Sequence, residues 1–154
     1  PLVLVAVAVE KPGNLGALIR SADAAGAHAV IACDGATDVF NPNAIRASTG
    51  LVFSMPVIET TTSELLPWLG QRGLKILAAT PHAELDYTQA DLRNNLAIAV
   101  GAEDQGLSDE WLQAADIKVR IPMRGKADSL NVSVAASVLL FEAARQRNAG
   151  NGDG

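Results

Sequence analysis

Six short apolar runs, separated by segments with helical periodicity, constrain the fold of this chain more than any other feature. They occupy residues 2–9, 29–33, 55–58, 74–79, 96–100 and 117–121. Most of these runs contain no alternating polar residues, which is typical of parallel strands that are covered on both faces. We therefore predict an α/β fold, a parallel sheet with helices on both faces, in which ligands bind beyond the carboxyl ends of the strands.

Chain length and composition fit a single compact domain. The 154 residues are 49% hydrophobic and 19% charged, which excludes a disordered or fibrous protein. Since no apolar run is long enough for a membrane span and the first residues lack a signal-peptide pattern, we predict a soluble, cytoplasmic protein without a membrane partner. The single cysteine, Cys33, and two separated histidines, His28 and His82, predict a buried thiol and no metal site.

The last helical segment, at residues 130–148, has almost no polar face in its first turns. A helix that is apolar all round has to be covered on every side, and one sheet covers only one side. We therefore expect this helix to form a homodimer interface; a central helix in a larger fold is the alternative. The tail AGNGDG, residues 149–154, is expected to be disordered, so residues 1–148 form the predicted domain.

A polar turn after the first apolar run, VEKPGNLGALIR at residues 9–20, leads into a helical pattern. Gly13 and Gly16 would let a phosphate or a ribose approach the backbone, and Asn14 would cap the helix. The alternative is an ordinary strand-to-helix turn with a capping Asn14 and a solvated Arg20. The turn lacks the full G-x-G-x-x-G pattern, so a dinucleotide site is not supported.

Two further turns follow buried runs in the same way. VGAEDQGLS, residues 100–108, places Gly101, Glu103 and Gly106 before a helix that Ser108 would cap. IPMRGKADSLNVSVAAS, residues 121–137, brings Ser129 and Asn131 to the start of the apolar helix. Polar side chains there either cap the helix or bind a ligand.

Together, the three turns resemble the motifs of the SpoU family of RNA ribose 2′-O-methyltransferases, in the SPOUT superfamily. The order and spacing fit over residues 3–147, and NPNAIRASTG at residues 41–50 also resembles a segment of this family. The matching residues are Asn14, Gly16 and Arg20 in the first motif, Gly101, Glu103 and Gly106 in the second, and Ile121, Pro122, Met123 and residues 129–133 in the third.

The resemblance implies a fold whose C-terminal part forms a deep trefoil knot, and an obligate homodimer. It implies S-adenosylmethionine as the methyl donor, bound among the knot loops. It also implies a separate N-terminal RNA-binding domain that we expect to be absent from this chain, since Pro1 lies directly before a predicted strand. The cofactor-binding residues that it implies are Ala79, Thr80, Gly101, Ile121, Met123, Ser129 and Leu130.

The implied activity is methylation of a ribose 2′-hydroxyl in structured RNA, with ribosomal RNA favoured over transfer RNA. Removing a proton from an arginine side chain at pH 7 costs about 7.5 kcal/mol, so we expect a charged Arg20 that grips a phosphate and stabilises the developing oxyanion. Asn14 would orient the ribose or Arg20, and Glu103 would act either directly or by holding a loop. The implied catalytic set is Arg20, Asn14, Glu103, Ser129 and Asn131.

The charge of the chain argues mildly against RNA, because the formal net charge is −5. A recruiting domain outside the chain would answer this objection. The expected RNA contacts are Arg20, Arg46, Arg124 and Lys126. Two other classes remain open: a non-catalytic RNA-binding module that keeps the knotted fold, and another nucleotide-dependent α/β enzyme such as a dehydrogenase.

Overall fold

A computed structural model describes residues 1–35, 38, 40–102, 106–126 and 130–150, and shows a six-stranded parallel sheet. The strand order is β3-β2-β1-β5-β4-β6. All six predicted apolar runs contribute strands, so the parallel α/β prediction is confirmed. The strands are β1 Leu2–Val7, β2 Ala29–Cys33, β3 Val57–Thr60, β4 Lys75–Ala79, β5 Leu96–Gly101 and β6 Ile117–Val119.

Helices cover both faces of the sheet, as the uninterrupted apolar runs predict. The described helices are α1 Pro12–Ala24, α2 Pro42–Ala47, α3 Thr62–Gln71, α4 Asp109–Ala114 and α5 Val132–Gly150, with short 3-10 helices at Leu51–Phe53 and Tyr87–Gln89. On one face, α1 and α5 pack buried side chains such as Leu18 and Leu139 against the sheet. On the other face, α3 and α4 do so with Leu69 and Trp111.

A buried polar cluster fixes α3 to the end of β2. The backbone amide of Thr62 donates to the carboxylate of Asp34 at 3.0 Å, and the indole of Trp111 donates to the Thr62 hydroxyl at 3.0 Å. Cys33 lies fully buried beside them, and burial raises the pKa of its thiol. The thiol therefore stays protonated, as expected for an inert core cysteine. Thr61 caps α3 by accepting from the Glu64 amide at 3.4 Å, and the Glu64 side chain accepts from the Thr60 hydroxyl at 3.1 Å.

The start of α1 differs from the prediction. The helix begins at Pro12 with Lys11 at the N-cap, so Asn14 lies in the first turn and does not cap the helix. Gly16 is buried against α2, and a Cβ on it would lie 2.5 Å from both the Ala44 carbonyl oxygen and the Ala47 Cβ. Its missing side chain therefore allows two helices to touch, and does not admit a ligand as the sequence suggested.

The last helix is only half covered by its own chain. Buried residues such as Ala136, Leu139 and Ala143 face the sheet, while Val134 is 47% exposed and Phe141 is 49% exposed on the other side. The helix continues to Gly150, two residues further than predicted. Of the helices among the described residues, none combines the length and the apolar character that a membrane crossing requires.

Candidate functional site

A cavity of about 170 Å³ lies at the carboxyl edge of the sheet, where β4 and β5 end and α5 begins. This is the edge at which parallel α/β sheets bind ligands. Six of the seven residues predicted to bind the cofactor line it, and Ser129 lies outside the described residues. The six are Ala79, Thr80, Gly101, Ile121, Met123 and Leu130.

The glycines of the second motif bring two chain segments together at this cavity. A Cβ on Gly101 would lie 2.7 Å from the backbone nitrogen of Leu107, so the loop after β5 folds directly onto the strand end. Gly106 has a φ of +64°, which favours glycine, and its amide donates to the Ala102 carbonyl at 2.7 Å. Ala102, Gly106 and Leu107 all line the cavity. Glu103, between these glycines, lies outside the described residues.

Backbone donors are available around this cavity. Within the described part of the chain, the amides of Leu107, Ile121 and Met123 donate to no backbone carbonyl. The same segments present the apolar side chains of Ile121, Met123 and Leu130. An apolar slot with backbone amides along its lining suits a flat heteroaromatic base, which needs both stacking surface and edge hydrogen bonds.

Asn14 and Asn131, from the first and third motifs, meet beside the cavity although 117 positions separate them in the chain. The Asn131 side-chain oxygen caps α5 by accepting from the Ser133 amide at 2.9 Å. Its side-chain nitrogen is left to donate to the Asn14 oxygen at 3.5 Å. Leu130 and Val132, on either side of Asn131, both line the cavity.

A second contact between α1 and α5 was not found from the sequence. The Ser137 hydroxyl donates to the Ser21 hydroxyl at 2.8 Å. Both helices begin at the carboxyl edge of the sheet, so they run parallel, and the asparagine and serine pairs hold them in register. The one available signal was a pair of small polar residues in otherwise apolar stripes, which is also typical of ordinary helix packing.

The predicted RNA-contacting cations are exposed. Arg20 lies exposed on α1, six positions beyond Asn14. The Arg46 guanidinium donates to the side chain of Asn43 on α2. Arg124 is exposed in the loop after β6, beside Lys126.

A second, more polar cavity adjoins the first through shared walls. Pro81, Ile121 and Met123 line both, and Arg120 and Lys126 line only the second. Cationic side chains therefore stand next to the apolar slot, on the side of the third motif. Among the described residues, no group of three or more potential metal ligands occurs.

A family model described as the SpoU rRNA Methylase family matches residues 1–141. A curated relative from Ralstonia nicotianae, named 23S rRNA (guanosine-2'-O-)-methyltransferase RlmB, is 42% identical over 149 residues, which is 96% of this chain and 60% of that protein. The chain spans about half to three-fifths of the length of the curated relatives it matches.

Solved structures of the same kind share the fold closely. A crystal structure of an RNA 2'-O ribose methyltransferase is 57% identical with a TM-score of 0.90, covering 94% of this chain and 56% of that chain. The SpoU methyltransferase AviRb from Streptomyces viridochromogenes, solved with the cofactor AdoMet, is 37% identical with a TM-score of 0.90, covering 97% of this chain and 61% of that chain. By sequence and by fold, therefore, this chain belongs to the SpoU rRNA methylase family.

Proposed function

We propose that this domain methylates a ribose 2′-hydroxyl in structured RNA, with S-adenosylmethionine as the donor and ribosomal RNA as the substrate. One observation carries the proposal: Asn14 and Asn131 meet beside a cavity lined by six residues of the implied cofactor set. Polar residues from two distant motifs thus converge where a methyl donor and a ribose would lie side by side.

The cavity suits the cofactor. The amides of Leu107, Ile121 and Met123 would contact the edge of its adenine ring, while Ile121 and Leu130 would pack on the faces. Bound S-adenosylmethionine supplies an electrophilic methyl group. Thr80 and the backbone around Gly101 also line the cavity and would hold the rest of the molecule.

Positioning would supply much of the rate enhancement, on the order of 7 to 11 kcal/mol in well-oriented reactions. The asparagine pair would orient the ribose, since each amide offers both a donor and an acceptor. Arg20 is exposed on the same helix as Asn14, and its planar guanidinium suits a phosphate. Its guanidinium would hold the neighbouring phosphate and stabilise the negative charge that develops on the ribose oxygen, while that substrate phosphate accepts the proton of the hydroxyl.

Ser129 and Glu103 complete the proposed catalytic set, although both lie outside the described residues. Ser129 precedes Leu130 and Asn131 in the chain, so we propose a polar contact at the methyl-transfer centre. For Glu103 we retain both roles, direct contact or support of the loop that carries Ser129 and Asn131.

The RNA path would follow the exposed cations. Arg46, Arg124 and Lys126 would contact the backbone, and the cavity with Arg120 and Lys126 provides a place for a phosphate next to the methyl-transfer centre. The N-termini of α1 and α5 meet at the same edge, and their partial positive charge favours an anion there. Curated relatives named as 23S rRNA methyltransferases favour ribosomal RNA over transfer RNA.

The assembly would be a homodimer formed through α5, because Val134 and Phe141 expose an apolar stripe that the chain itself leaves uncovered. We also propose that the chain after β6 forms the trefoil knot that the resemblance implies, and that the enzyme works in the cytoplasm. Since the relatives are longer, we propose that an RNA-binding domain outside residues 1–148 helps to recruit the substrate.

The first test is calorimetric titration of the purified chain with S-adenosylmethionine, followed by transfer of labelled methyl groups to 23S rRNA and to transfer RNA. We expect micromolar cofactor binding and labelling of the ribosomal RNA. Arg20→Ala should keep cofactor binding and lose methyl transfer by about 100-fold or more.

Three outcomes would contradict parts of this proposal. A folded chain that binds no S-adenosylmethionine points to a non-catalytic RNA-binding module. If only transfer RNA is labelled, transfer RNA and not ribosomal RNA is the substrate. Normal turnover of Arg20→Ala removes Arg20 from the mechanism.

A further inference from the structure

The two most exposed large apolar side chains among the described residues belong to one stacked pair. Phe40 is 55% exposed and Phe53 is 67% exposed, and their ring centroids lie 5.8 Å apart with 25° between the ring planes. Scattered exposed apolar residues are ordinary, but two phenylalanines that stack on each other in solvent form a preformed flat surface.

This pair is placed next to the candidate site. Phe40 lies just before α2, and Phe53 lies on the short 3-10 helix that follows it. Both α2 and this 3-10 helix pack on α1. The contact point on α1 is Gly16, between the two predicted functional residues Asn14 and Arg20.

The surrounding chemistry suits nucleic acid. Residues 39–58 contain no acidic residue, although the whole chain has 17, and Arg46 is their only charged side chain. Asn43 is exposed, and it accepts a hydrogen bond from the Arg46 guanidinium. The segment therefore combines an aromatic face, amide groups and one cation. Acidic residues flank it at Asp38 and Glu59, and the Asp38 carboxylate accepts a hydrogen bond from the Phe40 amide at 2.9 Å.

We propose that Phe40 and Phe53 form a stacking platform for an unpaired base of the substrate RNA, with Arg46 contacting a phosphate of the same strand. Aromatic side chains stack on any base, and a neighbouring cation adds attraction to the backbone. The platform would hold a nucleotide near the target, so that the ribose enters the site between α1 and α5. The inference rests on the proposed function in one respect, that RNA is the substrate.

A second copy of this chain is the competing occupant, and the observations favour RNA. The uncovered apolar stripe of α5, at Val134 and Phe141, already provides a surface for self-association. The stacked pair lies on separate segments, the loop before α2 and the 3-10 helix after it, and it comes with a cation.

The test uses the full chain and a single-stranded RNA of about ten nucleotides that carries one 2-aminopurine, whose fluorescence falls when the base stacks. We expect Phe53→Ala to weaken binding about 5- to 100-fold and to abolish the fluorescence change. Phe53→Tyr should keep the RNA affinity and the fluorescence change of the parent chain. Phe53→Leu, which keeps the apolar bulk but has no π face, should behave like Phe53→Ala. Since Phe53 is exposed, all three variants should fold.

Trp68→Ala is the matched control. Trp68 is an exposed aromatic residue on α3, on the opposite face of the sheet. The guanidinium carbon of Arg72 lies over its ring, 5.2 Å from the ring centroid. This variant should bind the RNA like the parent chain. Affinity for S-adenosylmethionine should not change in any of the variants.

The proposal is overturned if the parent chain binds no single-stranded RNA, or if Phe53→Leu or Phe53→Ala binds it as tightly as the parent. A Phe53→Ala variant that keeps RNA affinity but changes its mass in solution assigns the pair to a contact between copies. Failure of the proposed function gives a different result. If the chain binds RNA through Phe53 but does not bind S-adenosylmethionine, the stacking platform is supported and the methyltransferase activity is contradicted.

Discussion

Asn131 performs two tasks with the two ends of one side-chain amide. Its oxygen caps α5 by accepting from Ser133, and its nitrogen donates to Asn14 on α1. An aspartate would cap the helix equally well, but its ionised carboxylate only accepts hydrogen bonds and could not donate to Asn14. The choice of asparagine thus follows from the second contact, which links the first and third motifs.

Two substitutions separate these tasks. Asn131→Ala removes both, so we expect a loss of about 1 kcal/mol in the free energy of unfolding and a fall in turnover of up to about 100-fold. Asn131→Asp keeps the cap but cannot donate to Asn14, so its stability should match the parent while turnover still falls. Chemical unfolding and single-turnover methyl transfer measure the two effects. Full turnover of Asn131→Asp would show that the contact with Asn14 is not needed.

At the scale of elements, Gly16 is the point at which α1, the helix that carries Arg20, contacts α2, the helix that carries Arg46. Gly16 permits this contact because α2 occupies the space of the missing side chain. Sequence patterns cannot show such a contact, since they identify a glycine but not the segment that approaches it. The same limit applies to Gly101, whose neighbour is the backbone of Gly106 and Leu107.

Gly16→Ala should therefore force α2 away from α1. We expect a loss of about 1 to 3 kcal/mol in the free energy of unfolding, typical of overpacking, and weaker RNA binding because Arg46 moves with α2. Cofactor affinity should change less, because the cavity lies at β4, β5 and the start of α5. Urea unfolding and separate RNA and cofactor titrations provide the measurements.

Gly13→Ala is the matched control on the same helix. A Cβ on Gly13 would meet no atom within 4 Å, so this variant should be as stable as the parent or up to about 1 kcal/mol more stable. If Gly16→Ala behaved like Gly13→Ala, the packing role of Gly16 would be wrong.

At the scale of the whole molecule, the apolar runs predicted the strands and their alternation with helices, and the family resemblance pointed to six of the residues that line the cavity. Apolar runs identify strands because burial on both faces leaves no room for polar side chains, as in β1, where all six residues are buried. The order of the strands could not be predicted, because periodicity does not say that β1 pairs with β5. The half-covered state of α5 was anticipated from its composition, but composition does not identify the partner that would cover Phe141.

Phe141→Glu tests the proposed dimer. The side chain is 49% exposed in the single chain, so the charge should not disturb the fold of the subunit, but burying it in an interface would be costly. We expect the parent chain to sediment as a dimer and this variant as a monomer. Gln71→Glu, at an exposed position on α3 on the opposite face of the sheet, should leave the mass unchanged. A Phe141→Glu variant that kept the dimer mass would place the interface elsewhere.

The position of β1 in the sheet also sets the timing of folding. β1 is the first strand of the domain, yet one of its two neighbouring strands, β5, follows about 90 residues later. One face of β1 is covered by α1 together with α5, the last helix. A ribosome must therefore release most of the domain before the central strand gains its second partner. We expect slow folding with a long-lived exposed apolar strand, so that cells producing this protein would depend on chaperones until synthesis of the domain is nearly complete.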